Sequence, residues 1–240
     1  MTPEDTLLDA RYELKFNAKS SGYRDLQAWL YNHPAVFSKI FESRVVNNIY
    51  FDNHDLDSFH ENLTGISSRA KLRLRWYGDT INPSMTKLEL KLRRSMLGWK
   101  IAEDVSLGGA ALSEMSWREL GKLIKDQVPS DLFLHYSASS FPVLMNRYKR
   151  DYYLSADKKV RVTIDRDVQY FDQRSGLRLN KSYKNISPDI LIMEVKVDEK
   201  NTDEMAMALQ DGNLKHLDDS QLFDRALEAV IGSLRQHQAG

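Results

Sequence analysis

Residues 71–78, with the sequence KLRLRWYG, carry the side chains whose chemistry is easiest to interpret. Alternate side chains of an extended strand point to opposite faces, so Lys71, Arg73 and Arg75 share one face. The opposite face is apolar and includes Trp76. Like charges side by side repel one another, which makes this an unusual solvent-facing surface. Guanidinium groups bind phosphate oxygens through paired hydrogen bonds, so the strand predicts an anion site.

Other predicted strands repeat this pattern of one basic face and one apolar face. Together their charged faces hold twelve basic and five acidic residues, although the net charge of the chain is zero. The basic residues are Lys15, Arg69, Lys71, Arg73, Arg75, Lys87, Lys91, Arg93, Lys100, Arg150, Arg161 and Lys196. The acidic residues are Glu13, Glu89, Asp104, Asp165 and Glu194. An open antiparallel sheet with a wet face is one interpretation. We favour a closed barrel with a watery interior that holds a polyanion, because buried cations need counter-charge.

Three Glu-x-Lys steps lie on predicted strands that are far apart in the sequence. Each step places a carboxylate beside an ammonium group, and an ordinary same-face ion pair is the simplest explanation of any one of them. Carboxylates among so many cations also suit Mg²⁺ or Mn²⁺, which bind oxygen ligands and bridge phosphates. The metal ligands that we predict on this basis are Glu13, Glu89 and Glu194.

The composition excludes several classes of function. The chain has 240 residues and no cysteine, so it has no disulfide framework and no thiolate site. Zero net charge gives no general attraction to nucleic acid, and we expect no specific nucleic-acid partner. We expect no signal peptide, because the first residues have neither a basic region nor an apolar one, and no apolar run approaches the ~20 residues that span a bilayer. We therefore expect a cytoplasmic protein with a single domain, whose core covers about 11–235.

The elements that position these residues are about eight strands and several helices, which is typical of an α+β fold. The predicted strands cover 11–17, 44–51, 69–77, 86–94, 99–107, 142–154, 159–170 and 189–197. The predicted helices cover about 22–31, 55–62, 109–136 in pieces, 201–210 and 220–235. Gly98 is predicted in a turn and 172–188 in a loop. Short connections favour antiparallel pairing, and we expect an eight-stranded antiparallel β-barrel with the helices packed outside.

The strand motifs resemble those of the polyphosphate-polymerase domain of the vacuolar transporter chaperone (VTC) family. This family is a branch of the triphosphate tunnel metalloenzymes, which include the CYTH phosphatases. The matching motifs, in family order, are RYELKF at 11–16, NNIYFDN at 47–53, RLRWYG at 73–78, LELKLR at 88–93, YKRDYY at 148–153, VRVTIDRD at 160–167 and MEVKV at 193–197. The resemblance implies a tunnel that binds a triphosphate with Mn²⁺ or Mg²⁺.

The resemblance also implies roles for individual residues. Those that would bind phosphate are Lys15, Arg73, Arg75, Lys91, Lys100, Arg150, Arg161, Lys196 and Ser220. Those that would serve catalysis are Arg73, Arg75, Lys91, Arg150, Arg161 and Lys196. Those that would bind metal are Glu194, helped by Glu13 and Glu89. Two positions depart from the family pattern, because Asn62 and Gln221 stand where the family has basic residues.

The function that the resemblance implies is a metal-dependent phosphotransferase. It would move the γ-phosphate of ATP to a growing inorganic polyphosphate chain. The phosphatases begin with two carboxylates before the first lysine, whereas this chain has Arg11, which favours the polymerase branch. Two alternatives stay open, a tripolyphosphate or nucleoside-triphosphate hydrolase and a non-catalytic polyphosphate-binding module. A membrane-protein partner also stays open.

Overall fold

The computed structural model describes residues 11–94, 97–182, 188–198 and 215–217, which contain nine strands and four α-helices. The strands are β1 (Arg11–Ala18), β2 (Ser38–Asp52), β3 (Ser68–Tyr77), β4 (Met85–Arg94), β5 (Leu97–Ser106), β6 (Phe141–Leu154), β7 (Val160–Asp172), β8 (Leu191–Asp198) and β9 (Lys215–Leu217). The helices are α1 (Tyr23–Asn32), α2 (Asp57–Leu63), α3 (Trp117–Gln127) and α4 (Ser130–Ala138). No helix among these residues is long and apolar enough to cross a membrane.

The strands follow the hydrogen-bonding order β5-β4-β3-β2-β6-β7-β8-β1-β9. The registers of β1, β3, β4 and β8 with their neighbours are all antiparallel. The α+β class and the antiparallel sheet of eight longer strands are therefore confirmed, with β9 as a three-residue addition. The strand order has two ends, β5 and β9, so closure into a barrel stays a prediction.

Several element boundaries differ from those predicted. The segment predicted as helical from residue 109 consists mainly of turns until α3 begins at Trp117. A capping box fixes this start, because Ser116 accepts a hydrogen bond from the backbone N–H of Glu119 and the Glu119 carboxylate accepts one from the backbone of Ser116. Gly98, predicted in a turn, lies within β5. The predicted helices beyond residue 200 lie outside the described residues.

The chain forms two compact units, and each unit contains segments that are distant in the sequence. Of the described residues, unit 1 contains 11–44, 148–168, 188–198 and 215–217. Unit 2 contains 45–94, 97–147 and 169–182. The strands β2, β6 and β7 contribute residues to both units.

In unit 1, α1 covers the apolar face of the strands. Leu26 and Leu30 of α1 belong to a buried cluster whose strand members are Phe16, Tyr153, Val160, Val162, Ile164, Met193, Val195 and Val197. The residues that alternate with these along β1, β7 and β8 are polar or charged except for Ile192, and the alternation turns them away from the core. Burial of the apolar face therefore fixes the direction of the charged face.

A buried carboxylate also ties α1 to the strands of unit 1. Asp151 of β6 accepts hydrogen bonds from the hydroxyl of Tyr23, at 2.8 Å, and from the hydroxyl of Ser43. Nζ of Lys39 lies 3.0 Å from Asp151 and Nε of Arg166 lies 3.2 Å from it. Burial would raise the pKa of Asp151, but these four partners outweigh burial and lower it. Asp151 thus joins α1, β2, β6 and β7 through one side chain.

In unit 2, α3 and α4 cover the apolar face of β2 to β5. Leu120, Ile124 and Leu132 of these helices share a buried cluster with the strand residues Ile49, Leu72, Leu74, Trp76, Leu88 and Leu90. The predicted packing role of Trp76 is therefore confirmed, and its Nε1 donates a 2.9 Å hydrogen bond to the carbonyl of Thr80. The helices lie against the apolar faces of these strands, and the charged residues occupy the opposite face.

Candidate functional site

The charged face of unit 2 is arranged in rows of residues that lie directly opposite one another on neighbouring strands. The central row contains Tyr50, Arg73, Glu89 and Ala102. One same-face step along the strands, a second row contains Asn48, Arg75, Lys87 and Asp104. A third row, on the other side of the central one, contains Lys71, Lys91 and Lys100. The register therefore confirms that the basic residues of β3, β4 and β5 share one face.

Glu89 lies at the centre of this face and is close to three cations. Nε of Arg73 donates a 2.7 Å hydrogen bond to Oε2 of Glu89, and Nη2 of Arg73 lies 2.6 Å from the same oxygen. Nη1 of Arg75 lies 3.8 Å from Oε2, and Nζ of Lys100 lies 3.6 Å from Oε1. We call these four residues the Glu89 cluster. Its three positive charges exceed the single negative charge of a carboxylate that is only 3% exposed.

The electrostatics of the cluster keep Glu89 ionised. Burial alone would raise the pKa of Glu89, because it disfavours the charged carboxylate. The charges of Arg73, Arg75 and Lys100 outweigh burial and lower the pKa from 4.5 to about 2. The oxygens of Glu89 already serve guanidinium and ammonium groups, so a metal ion there would sit among cations. The geometry favours a counter-ion at this position over the predicted metal ligand.

Two asparagines and a tyrosine, which sequence reasoning missed, hold the arginines in place. Nε of Arg75 donates a 2.6 Å hydrogen bond to Oδ1 of Asn48, whose Nδ2 donates one of 2.7 Å to Oδ1 of Asn146. The hydroxyl of Tyr50 lies 3.5 Å from Nη1 of Arg73. Asn48 and Tyr50 are two residues apart on β2 and therefore share a face. That spacing is the signal that could have identified them.

The charged face of unit 1 has two rows across β1, β8 and β7. One row contains Lys15, Glu194 and Thr163, and the next contains Glu13, Lys196 and Arg161. Nζ of Lys15 lies 3.4 Å from Oε1 of Glu194, and Nζ of Lys196 lies 3.4 Å from Oε2. Glu194 is buried, and each of its oxygens has an ammonium group nearby. The last Glu-x-Lys step is thus an ion pair in this structure.

Thr163 adds an unusual polar atom beside Glu194. Its side chain is buried, and its Oγ1 hydroxyl has no hydrogen-bond partner among the described residues. Buried hydroxyls nearly always have a partner, because an unsatisfied one costs about 1–3 kcal/mol. An unpartnered hydroxyl in the same row as a carboxylate suits a ligand that is rich in oxygen.

Arg150 lies on the charged face of β6, where it binds a carboxylate of β7 at two points. Its Nε donates a 2.5 Å hydrogen bond to Oδ1 of Asp165, and its Nη2 donates one of 2.6 Å to Oδ2. The guanidinium carbon also lies 5.2 Å from the ring centre of Tyr148. Burial would lower the pKa of Arg150, but Asp165 and Tyr148 raise it well above its usual value. Arg150 is therefore a permanent cation whose orientation is fixed.

A divalent metal fits only part of this arrangement. The described residues contain no group of three or more His, Asp or Glu side chains that could hold a metal ion. Mg²⁺ commonly binds one or two carboxylates and takes its other ligands from substrate phosphates and water. Both oxygens of Glu194 have ammonium partners here, so Glu194, with the hydroxyl of Thr163 in its row, fits an ion shared with phosphate only when Lys15 and Lys196 turn to phosphate oxygens.

The structure places the predicted site residues in two sets, one in each unit. Unit 2 holds Arg73, Arg75, Lys91 and Lys100 with Glu89, and unit 1 holds Lys15, Arg150, Arg161 and Lys196 with Glu194. Ser220, Gln221 and the side chain of Glu13 lie outside the described residues. Asn62 is fully buried, and its Nδ2 donates a hydrogen bond to the carbonyl of Ser58 within α2.

The sequence profile of one protein family, described as the VTC domain, matches residues 10–221. The chain belongs to the VTC family. Membership of this family confirms the resemblance carried by the strand motifs, and it is consistent with placement in the CYTH-like superfamily. The matched residues of the VTC domain include both charged faces. No curated protein sequence matches this chain.

One solved structure with some likeness to this VTC domain is the Mediator head module of Schizosaccharomyces pombe. A chain of that structure is 10% identical, with a TM-score of 0.42, and the match covers 82% of this chain and 88% of that chain. A TM-score this low does not establish a shared fold, so the likeness carries no conclusion.

Proposed function

We propose that this VTC domain is a phosphotransferase that moves the γ-phosphate of ATP to the end of an inorganic polyphosphate chain. The association of the VTC family with polyphosphate polymerase supports this choice. The observation that carries it is the Glu89 cluster, where three cations lie within 4 Å of one buried carboxylate. Fixed guanidinium groups with excess positive charge suit the oxygens of a triphosphate.

The proposed reaction is a displacement at the γ-phosphorus. A terminal oxygen of polyphosphate attacks, the bond from the γ-phosphorus to the bridging oxygen breaks, and ADP leaves with the electron pair. The polyphosphate grows by one phosphate, and nothing is oxidised or reduced. The protein contributes alignment and charge neutralisation. The side chains assigned to these tasks are Arg73, Arg75, Lys91, Arg150, Arg161 and Lys196, with Lys15, Lys100 and Ser220 as further phosphate ligands.

The proposed metal is Mn²⁺ or Mg²⁺, held by Glu194. When bound, such an ion neutralises phosphate charge and orients the transferred group. Lys15 and Lys196 lie 3.4 Å from Glu194, and both ammonium groups can turn from the carboxylate to phosphate oxygens. The proposal also includes the closed tunnel that the family resemblance implies. The protein would act in the cytoplasm, and a membrane-protein partner is compatible with this proposal.

A product assay tests the proposal. The protein is incubated with ATP and Mn²⁺, and the products are separated on a polyacrylamide gel stained for polyphosphate. We expect a ladder of polyphosphate together with ADP. Free phosphate without polymer would identify a hydrolase. Tight, salt-sensitive binding of polyphosphate without turnover would identify a binding module. Either of these results would overturn the proposal that the protein is a polymerase.

A double variant links the activity to the guanidinium groups. Arg73→Lys with Arg75→Lys keeps both positive charges beside Glu89 but removes the planar fork that binds two phosphate oxygens. We expect kcat/KM to fall by roughly 100-fold or more, as for the loss of an aligned transition-state donor. The matched control is Arg118→Lys on the exposed side of α3, which should leave activity unchanged. Full activity in the double variant would contradict the assignment.

A further inference from the structure

The charged face of unit 2 ends in an apolar row at the turn between β3 and β4. Tyr77 is the last residue of β3, two residues after Arg75, and therefore points to the same face. Because Arg75 lies opposite Lys87, the same register places Tyr77 beside Met85, the first residue of β4. Val46 of β2 lies opposite Tyr77 on its other side. We call Val46, Tyr77 and Met85 the apolar row.

Two members of the apolar row are open to a ligand. Tyr77 is 50% exposed and Met85 is 49% exposed, whereas Val46 is fully buried. Trp76, the neighbour of Tyr77 in the sequence, is buried in the core on the opposite face. An aromatic ring and a polarizable thioether both make favourable contacts with the face or edge of another ring. The apolar row can therefore receive a flat aromatic group.

The turn that follows Tyr77 is held by side chains from two other strands. Nδ2 of Asn47, on β2, donates a 3.0 Å hydrogen bond to the carbonyl of Gly78. Arg147, on β6, donates to the backbone carbonyl of Asp79 at 2.9 Å and to its carboxylate at 2.8 Å. These bonds fix the backbone on which the Tyr77 ring stands. A ring on a fixed backbone loses little freedom when a ligand stacks on it, which favours binding.

A nucleoside fits this row when its phosphates lie on the arginines of β3. Same-face rows are about 7 Å apart, so Tyr77 lies one step from Arg75 and two steps from Arg73. A ribose separates a base from its α-phosphate by a comparable distance. A triphosphate held by Arg73 and Arg75 would therefore bring its base against Tyr77 and Met85.

We propose that Tyr77 and Met85 bind the base of the donor nucleoside triphosphate by stacking. This inference rests on the proposed function, because it takes Arg73 and Arg75 as the phosphate ligands. It assigns to unit 2 a site that distinguishes a nucleotide from inorganic tripolyphosphate, since only the nucleotide carries a base. Tyr77 and Met85 would thus favour the donor over a triphosphate that has no base.

The polar groups across β5 favour stacking over recognition of the edge of the base. Ser106 lies opposite Met85, and its backbone already bonds to the side chain of Gln127. The N–H of Ser106 donates at 2.8 Å to Oε1 of Gln127, and its carbonyl accepts from Nε2 at 2.9 Å. Stacking tolerates any base, because every base has an aromatic face. We therefore expect ATP and GTP to bind with affinities within about threefold of each other.

The test compares ATP, GTP and tripolyphosphate on the variant Tyr77→Leu, which keeps an apolar side chain but removes the aromatic face. Affinities are measured by calorimetry. We expect the affinity for ATP and for GTP to fall about 5- to 50-fold, as for the loss of one stack between a base and an aromatic ring. The affinity for tripolyphosphate should change less than about twofold, because it makes no stack.

Two control variants separate the ring from other effects of substitution. Tyr77→Phe keeps the ring and should bind all three ligands as the wild type does. Tyr31→Ala removes a ring that is 53% exposed at the end of α1 and should also leave binding unchanged. Thermal melting by circular dichroism shows whether each variant is folded. If Tyr77→Leu were unfolded, Met85→Gln would be measured in the same way, with the same expected loss confined to ATP and GTP.

A fluorescent nucleotide reports the stack directly. The triphosphate of 2-aminopurine riboside loses fluorescence when its base stacks on another ring. We expect quenching on binding to the wild type and to Tyr77→Phe, and little quenching with Tyr77→Leu at saturating nucleotide. Full quenching in Tyr77→Leu would place the base elsewhere and would overturn the assignment.

Three further results would overturn the base site. The first is unchanged ATP affinity in Tyr77→Leu. The second is an equal loss for ATP and tripolyphosphate, which would make Tyr77 a structural residue. The third is a preference of about 100-fold or more between ATP and GTP, which would require hydrogen bonds to the base.

These results are separate from the polymerase assay. Loss of ATP binding alone in Tyr77→Leu, with no polymer made by the wild type, would refute the enzyme and keep the base site. Polymer formation by the wild type, with unaltered ATP binding in the variant, would keep the enzyme and refute the base site.

Discussion

Replacing Glu89 by glutamine tests whether this residue is a counter-ion or a metal ligand. The substitution keeps the shape of the side chain and removes its charge. Arg73, Arg75 and Lys100, at 2.6 to 3.8 Å, would then lose the carboxylate that they share. We therefore expect Glu89→Gln to destabilise the ligand-free protein, and tripolyphosphate to stabilise this variant more than the wild type, because phosphate supplies the missing negative charge.

The size of the effect follows from the pKa of Glu89. A pKa of about 2 in the folded chain, against an ordinary 4.5, corresponds to about 3 kcal/mol of folding free energy. Because the folded pKa is the lower one, this stabilisation is fully present above pH 4.5 and is lost as the pH falls towards 2. At neutral pH, 3 kcal/mol lowers the melting temperature by roughly 6–12 °C in a chain of this size.

Thermal unfolding is followed by circular dichroism between pH 2 and 7, with and without tripolyphosphate. The matched control is Asp104→Asn, which removes a carboxylate from an exposed ion pair on the same face and should cost less than about 1 kcal/mol. The counter-ion assignment is wrong if Glu89→Gln melts like the wild type at neutral pH. Loss of Mn²⁺ affinity without loss of stability would restore the metal-ligand prediction.

Three further substitutions test other parts of the structure. Asp151→Asn removes a buried carboxylate from the exposed Lys39 and the half-buried Arg166. It should lower the free energy of unfolding by about 1–3 kcal/mol in urea titrations, with the difference shrinking below pH 3.8 because the folded pKa of Asp151 is depressed. Thr163→Val removes an unpartnered buried hydroxyl and should raise ligand-free stability by about 1 kcal/mol; a decrease would show that the hydroxyl is bonded. Ser116→Ala removes the helix cap and should cost about 1 kcal/mol of stability, while Ser116→Asp should retain it.

The alternation of apolar and charged residues predicted most of the fold and the composition of the charged faces. Burial of Leu72, Leu74 and Trp76 in one core leaves their neighbours only one direction in which to point. The same constraint turns Glu194 and Lys196 away from the core of unit 1. Period-2 patterns are reliable here because a one-residue slip would expose an entire apolar face.

The partners of the charged residues could not be predicted in this way. The Glu-x-Lys pattern suggests a pair of Glu89 with Lys91, but it gives no sign of the contacts that Glu89 makes with Arg73 on one neighbouring strand, β3, and with Lys100 on the other, β5. Those contacts depend on the register between strands, which alternation within one strand does not determine. The late start of α3 has a similar cause, because it depends on the cap at Ser116 rather than on apolar spacing.

The pairing of β1 with β8 has a consequence for how unit 1 folds. β8 lies between β7 and β1 in the strand order, yet it is synthesised long after β1. Contacts between such distant parts of a chain form slowly, and β1 presents unpaired backbone groups until β8 arrives. Because Glu194 lies on β8, the row that contains Lys15 and Thr163 assembles only at that late step. The nascent chain therefore completes its charged face in unit 1 only when nearly all of its strands have been made.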